Sequence, residues 1–260
     1  MALTGGDVLF RRSHDGAVAE LALSRPDRMN AVTWDMRARM AERFAEIDAD
    51  EKIRVVVIRT EGEHFSPGGD IPGFLEVEPA GFTDLGENIT AAARSPKPVI
   101  AAVDGYCFGV GFELALSCDI RLATRRAEFA FPEIKLGMIP GSGGTQRLSR
   151  LAGLSRATYH IMTGERIPAG KAAEWGIVAA VAEDREALDK EVSRLVEVLL
   201  GLSPLALRTA KEVLARGADG PLATGIELER KSYAMLRASH DFAEGVHAFT
   251  EKRTPKFTGR

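Results

Sequence analysis

Two short, unbroken apolar runs, separated by a stretch of helical period, restrict this chain's fold more than any other feature. Arg54-Val-Val-Val-Ile-Arg59 and Pro98-Val-Ile-Ala-Ala-Val103 are too short for helices and lack the alternation of a half-exposed strand, so they read as strands buried on both faces, and Asp119-Ile-Arg-Leu-Ala123 is a third strand candidate. A strand buried on both faces needs covering layers. The sequence supplies them as helical patterns over residues 80–94 and 109–117, which makes a β–α–β alternation and an α/β fold. Ahead of this core, residues 8–12 and 17–24 alternate apolar and polar positions around Asp15-Gly16, as an antiparallel hairpin does. Met36, Met40, Phe44 and Ile47 then recur at helical spacing behind Thr33, a residue type suited to an N-cap. From about Asp184 onward the period is helical, over 187–200, 204–215, 222–236 and 242–252. The expected organisation is a core over residues 1–200 and a helical region over 201–260.

The chain has 260 residues, enough for a sizeable core, and its 34 basic against 37 acidic residues leave a formal net charge of −3. That balance offers no electrostatic footprint for nucleic acid or a membrane surface. Cys107 and Cys118 both lie in the apolar central stretch, which argues for buried thiols in a reducing compartment and against a disulfide scaffold. The amino-terminal residues 1–16 lack a basic segment followed by an apolar signal core, and no uninterrupted 18-residue apolar span follows. The expectation is a cytoplasmic protein with no membrane partner. Gly109-Val-Gly-Phe-Glu113 continues into Leu114 where a dinucleotide fingerprint needs glycine. The glycines of 137–144 lack a P-loop ending, and Ser142 is not framed as a nucleophile elbow. The five histidines show no ligand spacing, so no metal site is expected.

What remains is acid. Glu113 stands between Gly-Val-Gly-Phe and Leu-Ala-Leu, and Glu133 between Phe-Ala-Phe-Pro and Ile. Burial of those neighbours strips hydration from each carboxylate and raises its pKa toward the working pH. Two such carboxylates suit acid/base chemistry. The glycines around them allow backbone N–H groups to approach a ligand oxygen closely.

The order of segments resembles the enoyl-CoA hydratase/isomerase (crotonase) superfamily. The resemblance runs through Ser24-Arg-Pro-Asp-Arg-Met-Asn-Ala31, Phe65-Ser-Pro-Gly-Gly-Asp-Ile71, the glycine loop leading into Glu113-Leu-Ala, Cys118-Asp-Ile, Pro132-Glu-Ile, Gly141-Ser-Gly-Gly-Thr-Gln-Arg147, Thr163-Gly-Glu-Arg-Ile167 and Ala248-Phe-Thr-Glu-Lys-Arg253. It implies repeated ββα units, a carboxy-terminal helical region that mediates trimer contacts, and a homotrimer or dimer of trimers. It also implies an acyl-CoA substrate, with coenzyme A as the carrier part and no redox or metal cofactor.

Carried over residue by residue, the resemblance makes Gly69 and Val110 the backbone donors to a thioester enolate, and Gly141 a backbone donor that positions water. Glu133 passes a proton to C2 and Glu113 activates water for attack at C3. Arg28, Gly68, Asp70 and Ile71 fall at coenzyme A-binding positions, with Phe249 and Lys252 at the adenine end. Phe65, Phe74, Phe82, Phe131 and Met138 are candidates for an acyl pocket.

Two positions depart from the family pattern. Val110 stands where glycine is usual, adding a stiff β-branched side chain beside the thioester. Pro72 replaces a lysine that meets coenzyme A phosphates in some relatives, a loss that Arg28, Lys252 and Arg253 are placed to offset. The expected activity is hydration of a trans-2-enoyl-CoA. An isomerase, lyase or hydrolase of the same fold is the first alternative, and a non-catalytic member binding coenzyme A, RNA or protein is an alternative of another class.

Overall fold

The computed structural model describes residues 6–76 and 88–260. Its larger compact unit comprises the described residues among 6–95 and 99–193 and is built on a six-stranded sheet. The antiparallel hairpin β1 (Asp7–Ser13) and β2 (Val18–Ser24) forms one edge, pairing Asp7 with Ser24 through Ser13 with Val18. β3 (Val55–Thr60), β4 (Val99–Val103), β6 (Ile120–Thr124) and β9 (Ala180–Ala182) then add in parallel. Every residue of β4 is buried, as its continuous apolar run requires.

Helix α1 (Trp34–Ala49) starts where Thr33 caps it, its hydroxyl accepting from Met36 N at 3.2 Å. The stripe Met36, Met40, Phe44 and Ile47 is buried in one cluster with Leu21, Leu23, Val56 and Ile58 of the sheet. Helix α2 (Val110–Ser117) is buried at every position, so it behaves as core. A second, three-stranded sheet joins β5 (Tyr106–Phe108), β7 (Glu128–Ala130) and β8 (Ile167–Pro168). These two- and three-residue strands carry no readable period, and the sequence alone did not reveal them. Helices α3 (Gly144–Ala152), α4 (Leu154–Thr163) and α5 (Ala169–Glu174) follow the site loops. Of the helical pattern expected over residues 80–94, positions 80–87 lie outside the described residues and Ala91–Ala93 form a single 3-10 turn.

The smaller unit holds residues 96–98 and 194–260. It contains the end of α6 (Arg185–Leu200), then α7 (Pro204–Ala218), α8 (Leu222–Arg237) and α9 (His240–Glu251). Buried Asp241 organises it: its carboxylate accepts from Ser203 Oγ at 2.5 Å, Thr258 N at 2.7 Å and Gly259 N at 3.0 Å, tying the carboxy-terminal residues to the start of α9. Among the described residues no helix is long and apolar enough to cross a membrane.

Candidate active site

Two loops, each with a backbone N–H bonded to no described residue, face one cavity of about 150 Å³ in the larger unit. The first runs from Ser66 to Asp70 and is pinned from several sides. Val32 N donates to Gly68 O and Asp70 N to Val32 O, each at 2.9 Å, while Gly68 N donates to Ser66 Oγ at 3.2 Å. Asn30, fully buried, holds the neighbouring turn, with its Nδ2 donating to Glu61 O at 2.7 Å and His64 O at 2.8 Å. Its φ of 65° is a left-handed conformation that asparagine tolerates better than most residues. Arg25 locks the far end through an ion pair to Asp70 at 3.2 Å. The N–H groups on either side of Gly69 are therefore spent, and the Gly69 N–H is bonded to no described residue. Phe74 packs directly on its α-carbon: a Cβ there would lie 2.4 Å from Phe74 Cζ, so only glycine admits the ring.

The second loop leads from β5 into α2. Gly109 N donates to Ala130 O at 2.9 Å, and Val110 then opens the helix, at a position whose N–H has no intrahelical acceptor. Gly109 adopts φ 51° and ψ −127°, a region costly for any residue with a Cβ, and such a Cβ would sit 2.8 Å from Glu133 Oε1. The glycine thus serves the backbone and makes room for a carboxyl group.

Glu113 lies in the first turn of α2, buried at 2 % exposure, with Oε1 accepting from Ser142 N at 2.5 Å and Gly144 N at 3.0 Å. Burial raises its pKa, opposed by the Gly144 and Ser142 N–H groups and by Arg37, all of which favour the ionised form. Behind it Phe112 stacks on Phe131 at 4.7 Å between ring centres, which stiffens the mount. Glu133 sits on a single 3-10 turn, Pro132–Leu136. Its Oε2 is buried and bonded to no described residue. Burial, reinforced by the charge of Glu113 and opposed by its own N–H and by Arg37, pushes its pKa up to about 7. The two carboxyl groups share a cavity but differ in environment: one oxygen of Glu113 is saturated by amides, whereas one oxygen of Glu133 is unsatisfied.

The match to known proteins is extensive: residues 13–260 fit the family model described as enoyl-CoA hydratase/isomerase. The chain belongs to the enoyl-CoA hydratase/isomerase family. It is 37 % identical over 250 residues to a 2,3-dehydroadipyl-CoA hydratase of Escherichia coli K12, covering 95 % of this chain and 98 % of that protein. An enoyl-CoA isomerase/hydratase of Mycosarcoma maydis is 36 % identical over 256 residues, covering 94 % and 93 %. The crystal structure of an enoyl-CoA hydratase from Bacillus anthracis superposes with a TM-score of 0.90 at 32 % identity, covering 96 % and 99 %. Enzymes of the enoyl-CoA hydratase/isomerase family act on coenzyme A thioesters, and among the described residues no group of acidic, histidine or cysteine side chains could hold a metal ion.

Within this family member the cavity brings together Gly68, Gly69, Ile71, Val110, Glu113, Glu133 and Gly141 of the residues singled out in the sequence. Asp70 is occupied by Arg25, and Arg28 is exposed on the short turn Pro26–Arg28; neither lines the cavity. Phe249, 87 % exposed, and Lys252, in a left-handed conformation just after α9, belong to the smaller unit. Of the acyl-pocket candidates, Phe74 and Met138 line the cavity, whereas Phe65 and Phe131 are fully buried core side chains, drawn inward by their aromatic area; Phe82 lies outside the described residues. The sequence reading passed over Trp34 and Arg37, both in the cavity wall. A signal for Arg37 was there, since it falls on the buried stripe of α1, three residues before Met40 and seven before Phe44.

Proposed function

We propose that this protein adds water reversibly across the double bond of a trans-2-enoyl-CoA thioester. The observation that carries this reading is the contrast between the two glutamates, because divergent environments assign acid and base. Glu113 accepts from two amide N–H groups that favour its ionised form against the upward push of burial, and is assigned the base, while Glu133, at about 7 and without such amides, is assigned the proton donor near neutral pH.

In the forward step a water oxygen bonds to C3 while its proton passes to Glu113. The C2–C3 π electrons move onto C1 and the thioester oxygen, giving an enolate that the Gly69 and Val110 N–H groups hold by hydrogen bonds. The enolate electrons return to C2 and take the proton of Glu133, so one water has been added and the pair of acids has exchanged one proton. Gly141 N–H supports the water. Coenzyme A enters past Gly68 and Ile71, with Arg28 and Asp70 on the side of its nucleotide portion, while Phe249 and Lys252 serve the adenine end of a neighbouring subunit's coenzyme A. The exposed apolar side chains Ile71 at 54 % and Ile139 at 66 % suit the rim of an opening that takes a pantetheine arm.

The test is a spectrophotometric screen across enoyl-CoA esters of different length, with product mass measured in ¹⁸O-labelled water. Label incorporation is expected. Double-bond migration without label would replace hydration by isomerisation, a reading favoured by the unpartnered Glu133 Oε2, which alone could carry a proton between C2 and C4.

The carboxy-terminal region, residues 201–260, is proposed to assemble a homotrimer or dimer of trimers in the cytoplasm. Its exposed apolar side chains, Leu214 at 73 %, Leu222 at 79 % and Phe249 at 87 %, are the kind that subunit contacts cover. A monomer at micromolar concentration by light scattering would contradict this.

The Val110 side chain, 4 % exposed and in the cavity wall, acts on specificity by volume, since only its N–H meets the oxyanion. Val110→Gly is expected to retain turnover, lose about 1–3 kcal/mol of stability, and shift relative kcat/KM toward bulkier acyl groups by on the order of 1–3 kcal/mol. Parallel kcat/KM profiles for short, long and branched esters check it, and identical profiles would show that Val110 does not set the pocket.

A further inference from the structure

Arg37 is a buried cation that the reaction just described does not use. It is 7 % exposed and reaches the cavity from α1, with its guanidinium carbon 4.7 Å from the Trp34 ring centre. Its Nε is buried without a partner, and no hydrogen bond or ion pair joins the guanidinium to any described residue. Guanidinium groups carry five donors in a rigid plane, and leaving them unsatisfied away from water is costly. Burial outweighs the attraction of Glu113 and Glu133 and lowers the Arg37 pKa to about 10, still charged at neutral pH.

A charge-balancing role for the two glutamates does not account for this geometry. A guanidinium placed for that purpose forms a bidentate pair with a carboxylate. Here Glu113 Oε1 is instead satisfied by Ser142 and Gly144, Glu133 Oε2 is unbonded, and neither acid is ion-paired with Arg37. The contact with the Trp34 ring, whose Nε1 donates to Gly73 O at 2.9 Å, anchors the guanidinium, leaving its polar edge without an acceptor among the described residues. A planar fork with no acceptor among the described residues, at the wall of an otherwise largely apolar cavity, is an anion-recognition element. Coenzyme A phosphates are poor candidates for it, because this wall is shared with the two glutamates, where the acyl end of the thioester must react.

Resting on the enoyl-CoA reading of the site, we propose that Arg37 selects the acyl group, and that the preferred substrates are enoyl-CoA esters whose acyl chain carries a carboxylate at its far end. Arg37 is then a specificity-determining residue, bonding the distal carboxylate through its Nη groups while Trp34 keeps the plane in place. A distal carboxylate also supplies the negative charge that the cavity loses when Glu133 is protonated.

The test compares binding and turnover. Calorimetry measures adipyl-CoA against hexanoyl-CoA, neither of which can be hydrated, in the wild type and in Arg37→Met and Arg37→Lys. Turnover is measured on the matching trans-2-enoyl esters. The wild type is expected to favour the carboxylate-bearing ester by roughly 10–100-fold in both Kd and kcat/KM, the equivalent of one charge-assisted hydrogen bond. Arg37→Met is expected to abolish or invert the ratio, and Arg37→Lys to restore part of it. The ratio is the readout, because any effect of the lost charge on Glu113 and Glu133 falls on both esters alike. Equal wild-type affinity for the two esters overturns the proposal even if neither variant folds. Equal losses for both esters in Arg37→Met also overturn it and reduce Arg37 to a group that positions the glutamates. Selective binding with no hydration of any ester would leave the Arg37 assignment standing and sink the hydratase reading instead.

Discussion

Glu133→Gln is expected to lower kcat for hydration by on the order of 10²–10⁴-fold, because the amide cannot deliver the proton that C2 needs. Glu113→Gln is expected to fall in the same range for a different reason. A glutamine Oε1 can still accept from Ser142 and Gly144, so the loop stays in place while the base is lost. Wild-type kcat/KM should fall as pH rises through about 7, where Glu133 gives up its proton. The same group leaves a thermodynamic mark. Its folded pKa lies above the unfolded value, so its contribution to stability is complete below the ordinary carboxylate range and is lost as pH rises through about 7. Above that pH the wild type holds a desolvated carboxylate that Glu133→Gln lacks. The variant should therefore melt a few degrees higher than wild type at pH 8, by on the order of 2 kcal/mol, with the difference shrinking toward pH 5. Steady-state rates with melts at three pH values decide it. Near-normal turnover in a folded variant would remove Glu133 from the mechanism, and a pH-independent difference in melting would remove its raised pKa.

Gly109→Ala is expected to have the second-largest effect. The backbone there, φ 51° and ψ −127°, costs about 1–3 kcal/mol for a residue with a Cβ. The added methyl would also lie 2.8 Å from Glu133 Oε1, so the carboxyl must move. A displacement of ~1 Å at a reacting group can cost about 10²-fold in rate, and Val110, the next residue, would shift with the backbone. The expected result is a lower melting temperature together with a kcat loss of at least ~10²-fold, larger than the stability change alone implies at a temperature where the variant is folded. Wild-type kcat in Gly109→Ala would show that the carboxyl position does not depend on the glycine.

The strands and helices with long apolar patterns were legible from residue order, because periodicity reports which face is buried. The hairpin around Asp15-Gly16, the stripe of α1, the buried runs of β3, β4 and β6 and the carboxy-terminal helices all appear within a few residues of their expected places. The acidic pair and the glycine loops were legible too, since a glutamate among Gly, Phe and Leu announces its own desolvation.

The tertiary structure decided what no local pattern carries. The two- and three-residue strands of the small sheet exist only because β5, β7 and β8 meet. Phe65 and Phe131 share their residue type with Phe74, yet packing sends two into the core and one to the cavity wall. Glu113 and Glu133 look alike in sequence; what separates them is that the loop before α3 gives one of them two amide donors and gives the other none. Arg37 sits on a buried stripe in the sequence, but that it lacks an acceptor among the described residues and lines one cavity with both acids is a fact of three-dimensional placement. Burial follows from residue order because it is an average over a face; partnership between charged groups depends on distances of a few ångströms between segments far apart in the chain, and only the folded molecule sets those.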